Sequence, residues 1–295
     1  MTPQASVIVP THNKRERLVL MLETFAHQAV PDFEVVVCDD GSTDGTAEAL
    51  ASLEAEVPYR LVYVSGPRGG AGAARNRAAA AARGDVLIFN DDDMVPAPGF
   101  VARHVEACAA GDVLSRGERW AVPVDVVPSF LGRRADAALY AEVWSSARMT
   151  VAEKWTLDAL AASPDHHYRF LQTCTSNLAL RRSSFERVGG FDESFGTRWG
   201  AEDTEFGYRA QLAGVGIRLT TAAKNLHLEH STDSGAKFTK GLENFRRLAE
   251  IHPESKGIKT LVKYVEMAVE RGHAAELFDE QSFVDWTSPD ILSFS

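Results

Sequence analysis

Segments with strand-like and helix-like patterns alternate along the first hundred residues. Short runs of β-branched and aromatic residues predict strands at 6–10, 33–38, 59–64 and 86–89, and apolar residues recur at helical spacing between them. Such alternation is typical of a parallel sheet with right-handed crossovers. We therefore predict an α/β fold with a mostly parallel central sheet flanked by helices.

The pattern is less regular after the fourth predicted strand. The segments that it still predicts are a helix at 99–110, an extended segment at 112–122, a mostly helical stretch at 126–167, a strand at 177–182 and a short helix at 183–188. We interpret 126–167 as an insertion that shapes a pocket. Farther along, one apolar stripe predicts a helix that faces the core, formed by Phe238, Leu242, Phe245 and Leu248.

Three consecutive aspartates follow the fourth predicted strand, and Pro96 and Pro98 after them predict no further regular structure. Open α/β sheets bind ligands at the carboxyl ends of their strands. Alternate side chains of an extended segment point the same way, so Asp91 and Asp93 can share one divalent cation while Asp92 faces elsewhere. The alternative is a solvated acidic turn that only ends the strand.

Composition narrows the classes of partner. With 295 residues, 45% of them hydrophobic, the chain can bury a substantial core. A formal net charge of −10 argues against nonspecific binding to nucleic acid or to an anionic membrane. If the ligand carries phosphate, a cation must lie between it and this acidic protein.

The cysteines and the start of the chain bear on location. Cys38, Cys108 and Cys174 show no paired spacing, which indicates neither a disulfide framework nor a metal knuckle and favours a reducing cytoplasm. The first residues lack the basic and apolar regions of an export signal, and no run of about 18 apolar residues predicts a membrane span.

Two later stretches carry candidate chemistry. Glu202 and Asp203 follow Trp199 and a glycine, which is how a helix start can look, since carboxylates there face free amides. Helix capping is therefore the structural alternative for these acids. His227 and His230 are three residues apart, a spacing that suits one metal only if the segment is helical or turned.

Several motifs together resemble the family 2 inverting glycosyltransferases, which have the GT-A fold. They are VIVPTHN at 7–13, VCDDGSTD at 37–44, ARN at 74–76 and DDD at 91–93. GGFDE at 189–193 and WGAED at 199–203 resemble the acceptor half shared with galactosyl- and N-acetylgalactosaminyltransferases. Two departures are the absence of a Gln-x-x-Arg-Trp motif, which disfavours a processive synthase, and Asn90, where relatives usually have an apolar residue.

The resemblance implies that three successive ranges of the chain have different roles. Residues 1–110 would form the half that binds the nucleotide sugar, and 111–231 the acceptor-binding and catalytic half of the same domain. Residues 232–295 would form a helical C-terminal extension. The implied donor is a nucleotide diphosphate sugar, with a uridine diphosphate sugar favoured, and the acceptor is a hydroxyl on a glycan, a lipid-linked molecule or a small molecule.

The same resemblance assigns residues to the donor and its cation. The implied donor-binding residues are Pro10, Thr11, Asn13, Asp39, Arg68, Arg75, Asn76, Asp91 and Asp92. The implied metal ligands are Asp91, Asp93, His227 and His230, and which histidine binds is left open. Mn²⁺, which tolerates mixed oxygen and imidazole ligands better than Mg²⁺, is the favoured ion.

Asp203 is the general base by resemblance, taking the proton of the acceptor hydroxyl in a single displacement with inversion. A place in the first helical turn would favour its ionised form. Glu202 and Trp199 are the implied acceptor-binding residues. Two other functions are weighed against this one: a nucleotidyltransferase, which would have a glycine-rich, arginine-bearing loop after the first strand, and a non-catalytic nucleotide-sugar-binding protein, in which Asp203 only caps a helix.

Overall fold

The computed structural model describes residues 3–150, 153–154, 157–158, 161, 169–231 and 234–271. Part of the predicted insertion at 126–167, the side chain of Phe238 and the chain beyond residue 271 lie outside this description.

The strands of the described residues form one eight-stranded mixed sheet. They are β1 (Ala5–Thr11), β2 (Phe33–Asp39), β3 (Arg60–Ser65), β4 (Val86–Phe89), β5 (Met94–Pro96), β6 (Val113–Val122), β7 (Leu178–Arg181) and β8 (Gly216–Leu228). Their order across the sheet is β3-β2-β1-β4-β7-β6-β8-β5. The pairs among β1 to β4 are parallel, as is β6 with β8, whereas β7 and β5 pair antiparallel with their neighbours.

Helices cover both faces of this sheet. Those in the described residues are α1 (Arg15–Thr24), α2 (Thr46–Leu53), α3 (Ala71–Ala81), α4 (Phe100–Ala109), α5 (Ala137–Ser145), α6 (Arg182–Val188), α7 (Glu202–Leu212), α8 (Ser234–Ile251) and α9 (Lys256–Glu270). The predicted fold class is confirmed: an α/β fold whose sheet is mixed and mostly parallel, with helices on both sides and at the C-terminal end.

Alternate residues of the central strands face two separate cores. Val7 and Val9 of β1 pack in one cluster with side chains of α1, α2 and α4, whereas Ile8 belongs to the other cluster. That second cluster also takes in Phe245 and Leu248 of α8 together with apolar residues of α9. The predicted stripe therefore faces the core at these two positions, and the C-terminal helices cover one face of the α/β sheet.

The sequence did not predict β5 or β8. Pro96 was expected to end regular structure, but it is the last residue of β5, which lies at the edge of the sheet. An edge strand tolerates proline because one of its sides needs no ladder hydrogen bonds. Met94 of β5 pairs with His227 of β8, and this register brings the histidine segment beside the acidic one.

Candidate active site

The three aspartates lie in a tight turn between β4 and β5. Met94 N donates to the carbonyl oxygen of Asp91 at 3.2 Å, so the segment is turned rather than extended. Our premise that alternate acids of an extended segment point together is therefore wrong here. Asn90 is fully buried and donates from Nδ2 to the carbonyls of Asp91 (3.0 Å) and Met94 (2.9 Å), which fixes the turn.

Asp93 faces two histidines. Its Oδ2 lies 3.7 Å from Nε2 of His227 and 3.6 Å from Nε2 of His230, and the ligand atoms of the three residues all lie within 4.8 Å of one another. Leu228 N donates to the carbonyl of Asp93 at 2.9 Å, which ties the end of β8 to the acidic turn. The turn after β8 thus brings both histidines to the same carboxylate.

This group fits a divalent metal. One carboxylate and two imidazoles are a mixed donor set that Mn²⁺ accepts. Burial of His230 and the nearby charge of Lys14 lower the pKa of that imidazole, which keeps it in the neutral form that a metal requires. Burial alone would raise the pKa of Asp93, but the His227 ring and the Lys14 ammonium lower it below its usual range.

Asp91 and Asp92 have other partners in the structure. Asp91 is partly exposed and accepts a hydrogen bond from Arg75 at 3.0 Å, outside the group formed by Asp93 and the histidines. Asp92 accepts from Thr11 Oγ1 at 2.8 Å and lies 3.2 Å from the Lys14 ammonium. Burial and the charge of Asp93 raise the pKa of Asp92 to about 7, against the opposing effect of Lys14.

Arg75 connects the acidic turn to the start of α7. It is buried in α3, and its Nη2 and Nη1 atoms donate to Asp91 and Glu202, each at 3.0 Å. Burial alone would lower the pKa of this guanidinium, but the two carboxylates raise it above its usual value. A permanent positive charge is thereby shared between the proposed donor side and the proposed catalytic helix.

Asp203 is the second residue of α7. Its Oδ1 accepts from Thr204 N at 2.8 Å, one of the free amides of the first turn. Burial and the negative charge of Glu202 raise the pKa of Asp203 to about 7, although Arg75 acts in the opposite direction. We had expected the helix start to keep Asp203 ionised. Burial and the charge of Glu202 instead outweigh the effect of the helix start on its pKa. Such a carboxylate can accept a proton near neutral pH.

The backbone before α7 is strained. Gly200 has φ +104° and Ala201 has φ +72°, a region that costs energy for a residue with a Cβ. Asn244 of α8 is buried and donates from Nδ2 to the carbonyls of Arg198 (3.0 Å) and Gly200 (3.1 Å). Trp199 is 41% exposed, and its ring lies 6.4 Å from that of Phe245. Helix α8 therefore holds the loop that presents Trp199.

The predicted nucleotide-pocket residues gather where β1 and β2 end. Thr11 is in register with Asp39, whose Oδ1 accepts from Ser42 N at 2.7 Å. Asn13, at φ +54°, accepts from Thr43 N at 2.8 Å, and Arg68 contacts the ring of His12. Pro10 lies beside Thr11 at the end of β1 and is partly buried.

Asn76 lies deeper in the contact between α3 and the 189–193 loop. Its side-chain amide donates to Phe191 O and to Glu193, both at 2.9 Å, and accepts from Phe191 N at 2.9 Å. These bonds hold the 189–193 loop against α3, and the place of Asn76 near the donor stays a prediction.

Asp40 has a structural role that the sequence did not predict. Its carboxylate accepts from the amides of Gly69 and Gly70, each at 2.8 Å, and from Arg77 at 2.6 Å. A Cβ on Gly70 would lie 1.8 Å from Gly196 O, so the glycine-rich loop packs directly against the loop before Trp199. The paired aspartates at the end of β2 were the signal, but only the first was assigned a role.

Buried asparagines connect the two segments that carry the candidate metal group of Asp93, His227 and His230. Asn225 of β8 is fully buried and donates from Nδ2 to Asn90 Oδ1 (3.0 Å) and Ser176 O (2.7 Å). Asn177 donates to Asn225 Oδ1 at 3.0 Å. Asn90 holds the acidic turn and Asn225 lies two residues before His227, so this pair joins the two halves of the metal group. The unusual Asn90 was the visible signal in the sequence.

The chain matches glycosyl transferase family 2 over residues 6–188, more than half its length, and a region described as the N-terminal domain of galactosyltransferase over residues 156–231. The chain belongs to glycosyl transferase family 2. The resemblance drawn from the motifs is thereby confirmed, including the galactosyltransferase-like region in the C-terminal half.

This family 2 chain is similar to a glucosyltransferase and to a chondroitin synthase. It is 30% identical over 267 residues to validoxylamine A glucosyltransferase of Streptomyces hygroscopicus subsp. jinggangensis, covering 85% of this chain and 61% of that protein. It is 27% identical over 239 residues to the chondroitin synthase of Escherichia coli, covering 76% of this chain and 34% of the synthase. The chain thus spans about three fifths of the first protein and a third of the second.

Solved structures share the fold at lower identity. The mannosyltransferase PcManGT from Pyrobaculum calidifontis, in complex with GDP-Man and Mn²⁺, superimposes with a TM-score of 0.59 at 20% identity, covering 99% of this chain and 74% of that one. GalNAc-T7 with UDP, GalNAc and Mn²⁺ gives a TM-score of 0.64 at 15% identity, covering 96% and 56%. At this identity the likeness concerns the fold. Within the described residues, no helix combines the length and apolar character needed to cross a bilayer.

Proposed function

We propose that the chain is a metal-dependent inverting glycosyltransferase that moves a sugar from a nucleotide diphosphate sugar to an acceptor hydroxyl by single displacement. One observation carries the proposal. Asp93, His227 and His230 form a group able to hold a metal, and Arg75 links this acidic turn to the start of α7 by pairing with Asp91 and with Glu202, the residue before Asp203. Family membership supports the reaction class.

Each centre would have a distinct task. Asp93, His227 and His230 would hold Mn²⁺, which offsets the negative charge that grows on the departing diphosphate. Thr11, Asn13 and Asp39 lie at the ends of β1 and β2, where open sheets bind nucleotides, so we propose that they line the pocket for the base and ribose. Asp203 would take the proton of the acceptor hydroxyl, with Trp199 offering an apolar face to a sugar ring.

Family membership identifies neither the donor nor the acceptor. We propose a uridine diphosphate sugar as the favoured donor. GalNAc-T7 was solved with UDP and PcManGT with GDP-Man, so a panel must include both kinds of donor. The acceptor hydroxyl would belong to a glycan, a lipid-linked molecule or a small molecule. The cytoplasmic location stays a prediction from the three free cysteines.

Asp203→Asn separates an enzyme from a non-catalytic binding protein. Loss of the base should lower the rate of sugar transfer, or of donor hydrolysis, by about 10²- to 10⁴-fold. Mn²⁺ and UDP should still bind. Turnover would be measured with UDP- and GDP-sugars and Mn²⁺, with and without EDTA, and UDP binding by calorimetry. The matched control is Asp125→Asn, because Asp125 is an exposed acid distant in sequence from every site residue.

Two outcomes would contradict the proposal. If Asp203→Asn turns over like the wild type, Asp203 is not the base. If the wild type binds UDP with Mn²⁺ but transfers and hydrolyses no donor in the panel, the binding-protein alternative is favoured. The nucleotidyltransferase alternative finds no support in family 2 membership.

A further inference from the structure

Lys14 occupies a position that none of the proposed roles uses. It follows the 11–13 turn and is the residue before α1 begins at Arg15. Its ammonium lies 2.8 Å from Asp93 Oδ2 and 3.2 Å from Asp92 Oδ1, and its side chain is 35% exposed. Lys14 therefore bridges the turn that would line the nucleotide pocket and the acids that would hold the metal.

The ammonium and the proposed metal depend on the same oxygen atom. Asp93 Oδ2, which accepts from Lys14, is also the atom that lies 3.7 Å from His227 Nε2 and 3.6 Å from His230 Nε2. A divalent ion bound to that oxygen at about 2.1 Å could lie no more than about 5 Å from a Lys14 nitrogen in its present place. Two positive charges this close to one buried carboxylate repel each other.

Without a metal the same contact is favourable. Asp92 and Asp93 are adjacent and buried, and their charges repel each other. The Lys14 ammonium offsets that repulsion by contacting both. Lys14 therefore stabilises the metal-free site and opposes entry of a metal.

A diphosphate would give the displaced ammonium a new partner. The lysine stem is long and flexible, and its partial exposure leaves the ammonium free to move away from the two carboxylates. A diphosphate held by a metal at Asp93 would place negative oxygens near that ammonium. The repulsion between ammonium and metal then falls, and an attraction between ammonium and phosphate is gained.

We propose that Lys14 is an exchangeable counter-cation, which pairs with Asp92 and Asp93 in the empty site and with the donor diphosphate in the loaded one. The inference rests on the proposed function. Its consequence is a coupling between ligands: Mn²⁺ alone binds weakly, and the nucleotide diphosphate strengthens Mn²⁺ binding by more than its own coordination would. By linkage, Mn²⁺ strengthens binding of the nucleotide by the same factor.

The test measures metal binding in the absence of any turnover. Mn²⁺ is titrated into the full chain, first alone and then with saturating UDP, and free Mn²⁺ is followed by its electron paramagnetic resonance signal. In Lys14→Met, which keeps length and removes the charge, we expect Mn²⁺ alone to bind at least about tenfold more tightly than in wild type. The strengthening by UDP should shrink by at least a similar factor.

Two control variants isolate the charge at this position. Lys14→Arg keeps the positive charge and should bind Mn²⁺ alone within about threefold of wild type. Lys259→Met makes the same change in net charge on the exposed face of α9 and should leave both affinities unchanged. If Lys14→Met does not fold, as judged by circular dichroism and thermal melting, Lys14→Gln carries the same expectation and replaces it.

The outcomes separate this inference from the proposed function. If wild type binds Mn²⁺ but loss of the Lys14 charge leaves its affinity equal or lower, the counter-cation role is wrong while the metal site stands. An unchanged UDP effect in Lys14→Met likewise rejects the transfer to the diphosphate. If wild type binds no Mn²⁺ with or without UDP, the metal-dependent function fails and the role of Lys14 fails with it.

Discussion

Two pairs of adjacent acids are linked through Arg75, and they differ in the positive charge around them. Asp92 and Asp93 are surrounded by Lys14, His227 and His230, whereas Glu202 and Asp203 share one cation, Arg75, with Asp91. The pKa of Asp93 is accordingly below its usual range, while the pKa of Asp203 is raised to about 7. One pair can keep an ionised ligand for a metal, and the other can accept a proton.

Burial raises the pKa of each of these acids, and the charges around each acid decide how much of that rise remains. The same logic operates inside the first pair, where burial and the charge of Asp93 raise the pKa of Asp92 to about 7. Environments that push the pKa values of neighbouring carboxylates apart are how one site supplies both a charged ligand and a base. Three substitutions test this comparison: the first removes the connection between the two pairs, the second affects the proposed metal group, and the third affects only the pair that contains the proposed base.

Arg75→Met should have the largest effect, because it removes the connection. Arg75 is 4% exposed and pairs with Asp91 and with Glu202, so its loss leaves two carboxylates without their cation. We expect the free energy of unfolding to fall by about 3 kcal/mol, measured by urea denaturation at neutral pH. The pKa of Asp203 should also rise further, since Arg75 is the charge that lowers it.

Arg103→Met is the matched control for this variant. Arg103 forms an exposed pair with Glu106, in which both side chains are more than half exposed. Such a pair contributes about 0.5 kcal/mol or less, so this change should be nearly silent. If Arg75→Met is as silent as Arg103→Met, the two centres are not joined through Arg75.

How much of this the sequence could predict depends on how local each contact is. The edge formed by β1 to β4 was predictable, because consecutive parallel strands carry Thr11, Asp39 and the aspartates to one side of the sheet. The histidines and Asp203 were predicted only through the family resemblance, because no pattern places them near Asp93 or Arg75. The approach of the histidines to Asp93 depends on β5 and β8, whose pairing joins segments far apart in the chain, whereas Arg75 reaches the Asp203 segment through Glu202.

Three further features of the site could not be predicted from the sequence because they depend on contacts or backbone angles in the folded chain. Asn90 and Asn225 are 135 residues apart, and a single asparagine in a sequence gives no sign of its partner. The left-handed backbone of Asn13 and Ala201 was equally invisible, since both residue types are common in ordinary helices and loops. The pKa of Asp203 is raised by burial and by the charge of Glu202, against the opposing effect of Arg75, so its position in the first turn alone led to the wrong expectation.

Asn225→Leu should loosen the metal centre alone. The substitution removes a buried amide that holds Asn90 and Ser176, so polar groups lose their partners and the free energy of unfolding should fall by about 2 kcal/mol. Because Asn225 ties the acidic turn to the His227 strand, we also expect Mn²⁺ with saturating UDP to bind about tenfold more weakly. Urea denaturation and Mn²⁺ titration measure the two effects.

Asn244→Leu sharpens the comparison as a second buried amide. Asn244 is 3% exposed and holds the loop at Arg198 and Gly200, on the acceptor side. It should lose a similar free energy of unfolding, about 2 kcal/mol, but leave Mn²⁺ affinity unchanged. Equal effects of the two leucine variants on Mn²⁺ binding would show that the asparagine pair does not position the metal group.

Glu202→Gln should have the smallest effect, a shift of the pH dependence. Burial and the charge of Glu202 raise the pKa of Asp203 to about 7, so the ionised base, and with it kcat/KM, should increase as the pH rises through that value. Removing the Glu202 charge lowers this pKa, and the rising limb should move to lower pH by about one unit.

Glu202→Gln should also change how the free energy of unfolding depends on pH. An acid whose pKa is raised in the folded state contributes stability below its unfolded pKa and loses that contribution as the pH rises through its folded pKa. In Glu202→Gln the loss should therefore be smaller and occur at lower pH than in wild type. Glu186→Gln, on the exposed face of α6, should shift neither the kcat/KM profile nor the stability profile. A limb that stays in place or moves to higher pH in Glu202→Gln would mean that Glu202 does not set the proton affinity of Asp203, and the contrast between the two acid pairs would then rest on burial alone.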